Sequence, residues 1–356
     1  MSTTRIDTLL RYMHEHGGSD LHLAAGLEPR VRIGGALLPV ADHGPLTEHE
    51  LSQMMEGLAS PNHWRDFERT LDVDFAYGLP GVARFRVNYF CQERGVAAVL
   101  RIIPEKIRSF EELGVPPAVT KFVHLRGGLV LVTGPTGSGK STTLAAIIDA
   151  INSTYEKHIV TIEDPIEFVH PTKKALFSQR EVGAHTVSFA AALRAAIRQN
   201  PDVILVGEMR DHETIALALT AAEMGMLVFG TLHTNSAVKT INRLIDAFPA
   251  EEQTQARVSL SSALAGVVAQ LLLPTADGGG RVAAHEILLR TSGLPNLIRE
   301  DKTGLLRSLI QNNRELGMQM MDDALMTLVE SQRILPRDAF QKAQDKGRFE
   351  PLLPRD

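Results

Sequence analysis

The 356-residue chain carries two rhythms of apolar positions, and the change falls near residue 118. Residues 6 to 16 repeat apolar side chains at helical spacing, after which "DLHLAAG", "PRVRIGG" and "ALLPV" read as short strands punctuated by glycine and proline. "LTEHELSQMMEGL" opens with Thr47 as a helix cap and has Glu50 three residues on, a pair that can satisfy each other's backbone donors. "NHWRDFERT" supplies a second amphipathic helix. "LDVDFAYGLPGVARFRVNYF" predicts a hairpin turning at "GLPG", and "GVAAVLRIIP" predicts a further strand. Strands, two helices and more strands make a small α+β domain over residues 1–104. Residues 105–118 contain prolines and little strand pattern, and are expected to be a linker.

From residue 119 onward short apolar runs, "LVLV", "HIVTI", "DVILVG" and "MLVFGT", alternate with helical stretches such as "SFAAALRAAIRQ" and "HETIALALTAAEMG". Strands without polar alternation must be covered on both faces, so the pattern predicts an α/β core with a parallel sheet over residues 119–290. After "GTLHTNSA" the chain reads as helical through "VKTINRLIDAF" and "EEQTQARVSLSSALAGVVAQLLL", with "RVAAHEILL" as a strand. Residues 291–356 are expected to form a helical C-terminal region.

Charge then narrows the partners. There are 37 Lys and Arg against 42 Asp and Glu, a net charge of −5, with the two signs interspersed. A domain that neutralised a nucleic-acid backbone would carry a basic excess, so nucleic acid is not an expected partner. The start "MSTTRIDTLLRYMHEHGGSD" lacks the basic-then-apolar order of an export signal, and no apolar run approaches the roughly 18 residues of a membrane span. A cytoplasmic location is expected. Cys91 is the single cysteine, which excludes an intrachain disulfide and a cysteine-built zinc site.

The chemistry begins at "GPTGSGKS", Gly134 to Ser141, which fits G-x-x-x-x-G-K-[ST] between a predicted strand and a predicted helix. Gly134, Pro135, Thr136, Gly137, Ser138 and Gly139 would form a loop whose backbone N–H groups turn inward around phosphates, because glycine leaves the approach unobstructed. Lys140 would neutralise β- and γ-phosphate charge, Ser141 would offer its hydroxyl to Mg2+, and Thr142 would reach the α-phosphate side. "DVILVGEMRD" ends an apolar strand in an acid. Asp202 precedes that strand, so Glu208 at its carboxyl end is the better candidate for polarising a water lined up on the γ-phosphorus. "HIVTIEDPIEF" ends another strand with Glu163 and Asp164, where open α/β sheets bind their ligands, and Glu163 is the candidate for the water-mediated magnesium shell. "MLVFGT" runs into "LHTNSA" and puts His233 at a further strand end as a candidate γ-phosphate sensor. In the N-terminal domain Arg84 and Arg86 share one strand face and Arg101 lies in "VLRII". These arginines read either as charge that protects an edge strand or as stabilisers of a γ-phosphate across a domain or subunit boundary.

This series resembles the secretion-ATPase superfamily and, within it, the PilT-type retraction ATPases of type IV pili. The likeness runs through nearly the whole chain. "SDLHLAAG" and "RFRVNYF" are similar to the family's N-terminal PAS-like domain, while "GPTGSGKSTT", "TIEDPIEF", "QREVG", "NPDVILVGEMRD" and "VFGTLHTNSA" resemble its Walker A, Asp-box, linking, Walker B and His-box segments in order. The resemblance implies an α/β fold with a RecA-like P-loop ATPase core, an N-terminal PAS-like α+β domain and a helical C-terminal region. It implies Glu163 as the Asp-box acid, Glu208 as the Walker B glutamate, His233 as the His-box histidine, and Arg84, Arg86 and Arg101 as arginines that face nucleotide. It further implies a homohexamer that hydrolyses ATP with Mg2+ and acts on an inner-membrane, PilC-like pilus platform protein. The expected place is the cytoplasmic face of the inner membrane at the pilus base, with membrane contact only through that partner. The alternatives are an extension or type II secretion ATPase, which usually carries a longer N-terminal region and a four-cysteine zinc insertion, and a weakly coupled regulatory paralogue. Two departures stand out: Met226 occupies a position where the family often has histidine, and "GLPNLIRE" puts Leu294 and Pro295 in place of an isoleucine and an arginine.

Overall fold

A computed structural model describes residues 5–103 and 106–353, and the chain divides into Met1–Lys106 with Pro165–Val169, and Ile107–Asp164 with His170–Asp356. The domain boundary expected at residues 104 and 105 lies outside the described residues.

The first unit runs α1 (Arg5–Glu15), β1 (Asp20–Ala24), β2 (Arg30–Ile33), β3 (Ala36–Pro39), α2 (Glu48–Leu58), α3 (Pro61–Thr70), β4 (Asp72–Leu79), β5 (Ala83–Gln92) and β6 (Gly95–Ile103). The strands form a six-stranded antiparallel sheet in the order β3-β2-β1-β6-β5-β4. Thr47 Oγ1 accepts from Glu50 N at 3.2 Å while Glu50 Oε2 accepts from Thr47 N at 2.9 Å, the reciprocal cap that the spacing announces. Ile6, Leu10, Met55 and Phe67 from the helices bury against Leu21, Phe85, Val87 and Tyr89 of the sheet, and the Tyr89 hydroxyl donates to Met55 O at 3.1 Å. Side chains alternate along a strand, so Arg84 and Arg86 stand on the face opposite this core. Cys91 is an exposed residue of β5.

The second unit begins with α4 (Phe110–Leu113) and α5 (Pro117–Thr120). It continues through β7 (Gly128–Thr133), α6 (Lys140–Thr154), β8 (His158–Glu163), β9 (Leu176–Glu181), α7 (Phe189–Ala196), β10 (Val203–Val206), α8 (His212–Glu223) and β11 (Leu227–Leu232). Then follow α9 (Ala237–Asp246), α10 (Gln253–Ala263), β12 (Leu264–Pro274), β13 (Arg281–Leu289), α11 (Leu294–Arg299), α12 (Leu306–Asn312), α13 (Met321–Glu330) and α14 (Pro336–Lys342). The seven strands order as β13-β12-β7-β11-β10-β8-β9, all parallel to their neighbours except β13. Leu144 and Ile147 of α6 cover one face of the sheet, against Val130, Val132 and Phe229. Leu193, Ala218 and Ile241 of α7, α8 and α9 cover the other, against Leu129, Ile204 and Val228.

The structure corrects the reading of "LSSALAGVVAQLLL" as helix. The helix α10 stops at Ala263, and Leu264–Pro274 is the strand β12, inserted beside β7. An unbroken apolar run has no period that separates a doubly buried strand from a buried helix; here the parallel partner decides. The strand β9 was likewise not expected, because a half-exposed edge strand carrying Ser178, Gln179, Arg180 and Glu181 has no apolar run to reveal it. Residues 107–118, expected as linker, fall in the second unit, with Val115, Ala118 and Val119 buried among Ile147 and Phe229. The helices after residue 291 join the same unit: Leu294, Ile298 and Leu306 bury beside Leu244 and Leu260, and Met321 and Leu325 beside Leu271 and Val282. Pro295 sits in the first turn of α11, where its fixed φ and missing N–H cost nothing.

Two buried histidines make the fold acid-sensitive. His170 and His285 are 6% and 2% exposed, and burial pushes each imidazole down from 6.5 to about 4. Each is neutral in the fold down to that pH, whereas the unfolded chain takes up its protons near the ordinary value, so over this window unfolding gains protons and stability falls with acidification. The urea midpoint is expected to drop as pH is lowered from 6.5 to about 4, and His285→Gln should flatten part of that slope, since each pH unit is worth about 1.4 kcal/mol per proton. Urea titrations across that range measure it.

Candidate active site

The strand β7 ends at Thr133 and α6 starts at Lys140, so the six residues between must turn the chain within one loop. Gly134, Gly137 and Gly139 adopt φ of 148°, 76° and 86°, a region open to glycine and strained for other residues. Space is equally restrictive. A Cβ on Gly134 would lie 2.2 Å from Gln270 O, and one on Gly139 would lie 2.8 Å from Gln270 Nε2. The loop is therefore laid directly on β12.

Gln270, 2% exposed, donates from Nε2 to Ser138 O at 2.7 Å and accepts from Thr143 Oγ1 at 2.8 Å. A carbonyl can only accept, which fixes the orientation of the amide. One side chain thus ties the loop backbone to the first turn of α6. Sequence reasoning missed it; the available signal was a lone amide inside the apolar run "LAGVVAQLLL". Lys140 Nζ donates to Gly134 O at 2.8 Å and Pro135 O at 3.1 Å, folded along the loop it serves. Pro135, Thr136 and Gly137 are exposed, Ser141 and Thr142 are half-buried in the first turn of α6, and the buried Ser138 Oγ has no hydrogen-bond partner. A glycine-built loop, a helix N-terminus, a lysine and the hydroxyls of Ser141 and Thr142 in the first turn of α6 are groups that fit a chain of phosphates.

The acids stand at the carboxyl ends of the neighbouring strands. Glu163 closes β8, its Oε1 accepting from Thr161 Oγ1 at 2.6 Å and Gln179 Nε2 at 3.3 Å. Glu208 follows β10, where Gly207 N donates to Ile162 O at 2.8 Å. Its Oε1 lies 3.0 Å from His233 Nε2, just past β11, and its Oε2 accepts from Arg210 Nη2 at 2.6 Å. Burial would raise the Glu208 carboxyl, but the hydrogen bond and charge of Arg210, with His233, outweigh it and hold the group below the usual carboxylate range. Glu208 is therefore ionised at neutral pH and can only accept. Arg210 is a further residue that sequence reasoning did not select. Asp202 lies at the other end of β10, where Oδ2 accepts from His158 N at 2.9 Å, a structural contact.

Arg84, Arg86 and Arg101 belong to the first unit. Arg86 and Arg101 are direct cross-strand partners, and such a like-charge pair would repel. Arg101 Nε sits 2.6 Å from Asp20, and Arg86 Nε sits 3.5 Å from Asp74, so each is balanced by a carboxylate. Among the described residues no group of three or more His, Cys, Asp and Glu could hold a metal alone. Mg2+ keeps waters and phosphate oxygens in its shell and needs only one or two protein groups, a demand that the Ser141 hydroxyl fits.

The sequence matches the family described as Type II/IV secretion system protein over residues 76–292. It is 52% identical to the type IV pilus retractation ATPase PilT of Pseudomonas aeruginosa, over 97% of this chain and 99% of the relative. It is 51% identical to the twitching motility protein of Neisseria gonorrhoeae, over 89% of this chain and 84% of the relative. A crystal structure of the pilus retraction motor PilT with bound ADP matches at a TM-score of 0.90 and 46% identity, covering 98% of this chain and 100% of that one.

Gln270→Leu would leave the Ser138 carbonyl and the Thr143 hydroxyl buried without this partner, at a cost of about 1–3 kcal/mol. A lower urea midpoint and roughly tenfold weaker binding of a fluorescent ADP analogue are expected, the affinity change being about 1.4 kcal/mol. Gly134→Ala should lose binding more completely, because the atom it meets is backbone and cannot give way.

Proposed function

The chain belongs to the Type II/IV secretion system protein family and, within it, to the PilT-type retraction ATPases, and from that membership we propose that it is a hexameric, Mg2+-dependent motor whose ATP hydrolysis retracts type IV pili. The observation that carries the reading is the convergence of four consecutive strands of the sheet. The glycine loop after β7, His233 after β11, Glu208 after β10 and Glu163 at the end of β8 all stand at one edge.

The loop N–H groups and Lys140 hold the β- and γ-phosphates, with Thr142 on the α-phosphate side; for Lys140 this exchanges the carbonyls of Gly134 and Pro135 for phosphate oxygens. Ser141, and Glu163 through water, would hold Mg2+, which supplies charge neutralisation at the β- and γ-oxygens. Glu208, ionised and oriented by Arg210 and His233, accepts a hydrogen bond from the attacking water. As the water oxygen bonds to the γ-phosphorus, the bridging P–O bond breaks, its electron pair leaves on ADP, and the water proton passes to Glu208. His233 shares Glu208 and so reports whether the γ-phosphate is present. We assign Arg84, Arg86 and Arg101 to bound nucleotide across a domain or subunit boundary, where planar guanidinium groups suit a phosphoryl group gaining charge. Loss of that group removes the contact that favours closure, and the ring changes shape.

No helix among the described residues is long and apolar enough to cross a membrane. The reading places the motor at the cytoplasmic face of the inner membrane, contacting it only through the pilus platform protein, with no nucleic-acid partner and with the first unit as its PAS-like domain.

Glu208→Gln should keep ATP binding and lower phosphate release by roughly 10²- to 10⁴-fold. Undiminished hydrolysis would remove Glu208 from this role. Replacing Arg84 and Arg86 together with alanine should impair turnover while the melting temperature changes little. Pilus retraction in a strain lacking its own retraction ATPase, complemented with this chain, tests the biological function.

A further inference from the structure

Glu286 is a carboxylate on β13 that is 1% exposed, an expensive place for a charge unless every oxygen is used. Both are. Oε1 accepts from Ala237 N at 2.7 Å and Oε2 from Met321 N at 3.3 Å, the first residues of α9 and α13. A helix N-terminus presents unpaired N–H groups and a partial positive charge, so two such ends suit one buried carboxylate. Burial still raises this carboxyl above its usual range, against the pull of the two N–H groups and Arg307 and with a push from Asp322.

A capping role alone accounts poorly for this arrangement. The helix α9 already has its own cap, Ser236, which accepts from Lys239 N at 3.3 Å. What Glu286 adds is a tie between α9 and α13, whose cap residue, Met320, has no side-chain acceptor. The helix α9 in turn sits on the candidate site. Thr240 Oγ1 lies 2.6 Å from Thr234 Oγ1, next to His233, and 3.3 Å from Thr133 Oγ1, the residue before Gly134. Glu286 pairs across the hairpin with Ala269, one residue before Gln270. Successive rungs of β12 and β13 therefore serve the site from opposite faces, Gln270 through the phosphate loop and Glu286 through α9.

We propose that Glu286 is a positioning residue for hydrolysis: by holding the first N–H groups of α9 and α13 on one carboxylate, it sets α9, and through Thr240 the loop bearing His233, in register with Glu208. The C-terminal helices thereby contribute to the geometry of the site without touching nucleotide. This rests on the roles given above to Glu208 and His233.

Glu286→Gln keeps the size but replaces one acceptor with an NH2 group, so one helix end loses its partner. In the full-length protein we expect kcat to fall about 10- to 100-fold, as misplacement of a reacting group does, while KM for ATP stays within about twofold. Hydrogen exchange at the Ala237 or the Met321 amide should accelerate, whichever end the remaining oxygen does not keep. Leu288→Ala, a fully buried residue two positions along β13, is the control: it should lower the melting temperature while kcat is retained. Thr240→Val should reproduce the kcat loss by cutting the same link at its other end, and it decides the matter should Glu286→Gln not fold. Unchanged kcat in Glu286→Gln, or an equal loss in Leu288→Ala, overturns the proposal. Absence of ATPase activity in the parent protein would instead overturn the functional reading, and the exchange rates of the Ala237 and Met321 amides then decide the tie: exchange unchanged at both sinks it.

Discussion

Everything at the active edge follows from parallel strand pairing. Strands that run the same way must each be re-entered by a crossover, and right-handed crossovers place the connecting helices over the two faces and leave all carboxyl ends along one edge. The order β12-β7-β11-β10-β8-β9 is a parallel set, its strands joined through helices except between β8 and β9. Its consequence is chemical. Residues separated by about a hundred positions in sequence, from Gly134 to His233, are delivered to one place by strands fixed in register by their hydrogen bonds. No helix packing alone would specify that juxtaposition so narrowly.

The two sides of the site are built differently. The glycine loop is held by backbone geometry and by a buried amide, Gln270, whose donor and acceptor are both engaged, so it is a rigid frame. The acidic side is held by charge. Glu208 is 19% exposed at its side chain, His233 46% and Arg210 77%, so these contacts are wet and exchangeable. That contrast suits the proposed role, in which triphosphate and diphosphate are both held yet told apart.

The first unit shows the same economy on an antiparallel sheet. One face carries Phe85, Val87 and Tyr89 into a core with three helices, while the alternate positions carry Arg84 and Arg86. The pairing of Arg86 with Arg101 would be unfavourable by itself, and Asp20 and Asp74 make it tolerable. In the role proposed for them, phosphate oxygens would be met in competition with these carboxylates.

Local chemistry was legible in the sequence wherever one residue type has one physical use. The glycines of the loop, Lys140, the Thr47 and Glu50 cap, and the acids ending apolar runs could be selected because φ, charge and capping are properties of a residue and its immediate neighbours. The alternation of runs and helices likewise determined a sheet covered on both faces. The strand state of "LAGVVAQLLL" was decided by tertiary structure, since an apolar run carries no period once both faces are buried and only the partner β7 selects it. The same holds for Gln270, Arg210 and Glu286, whose partners lie across strands or on distant helices. Hydrogen bonds of that kind depend on distances between elements, and those are set by packing after the elements have formed.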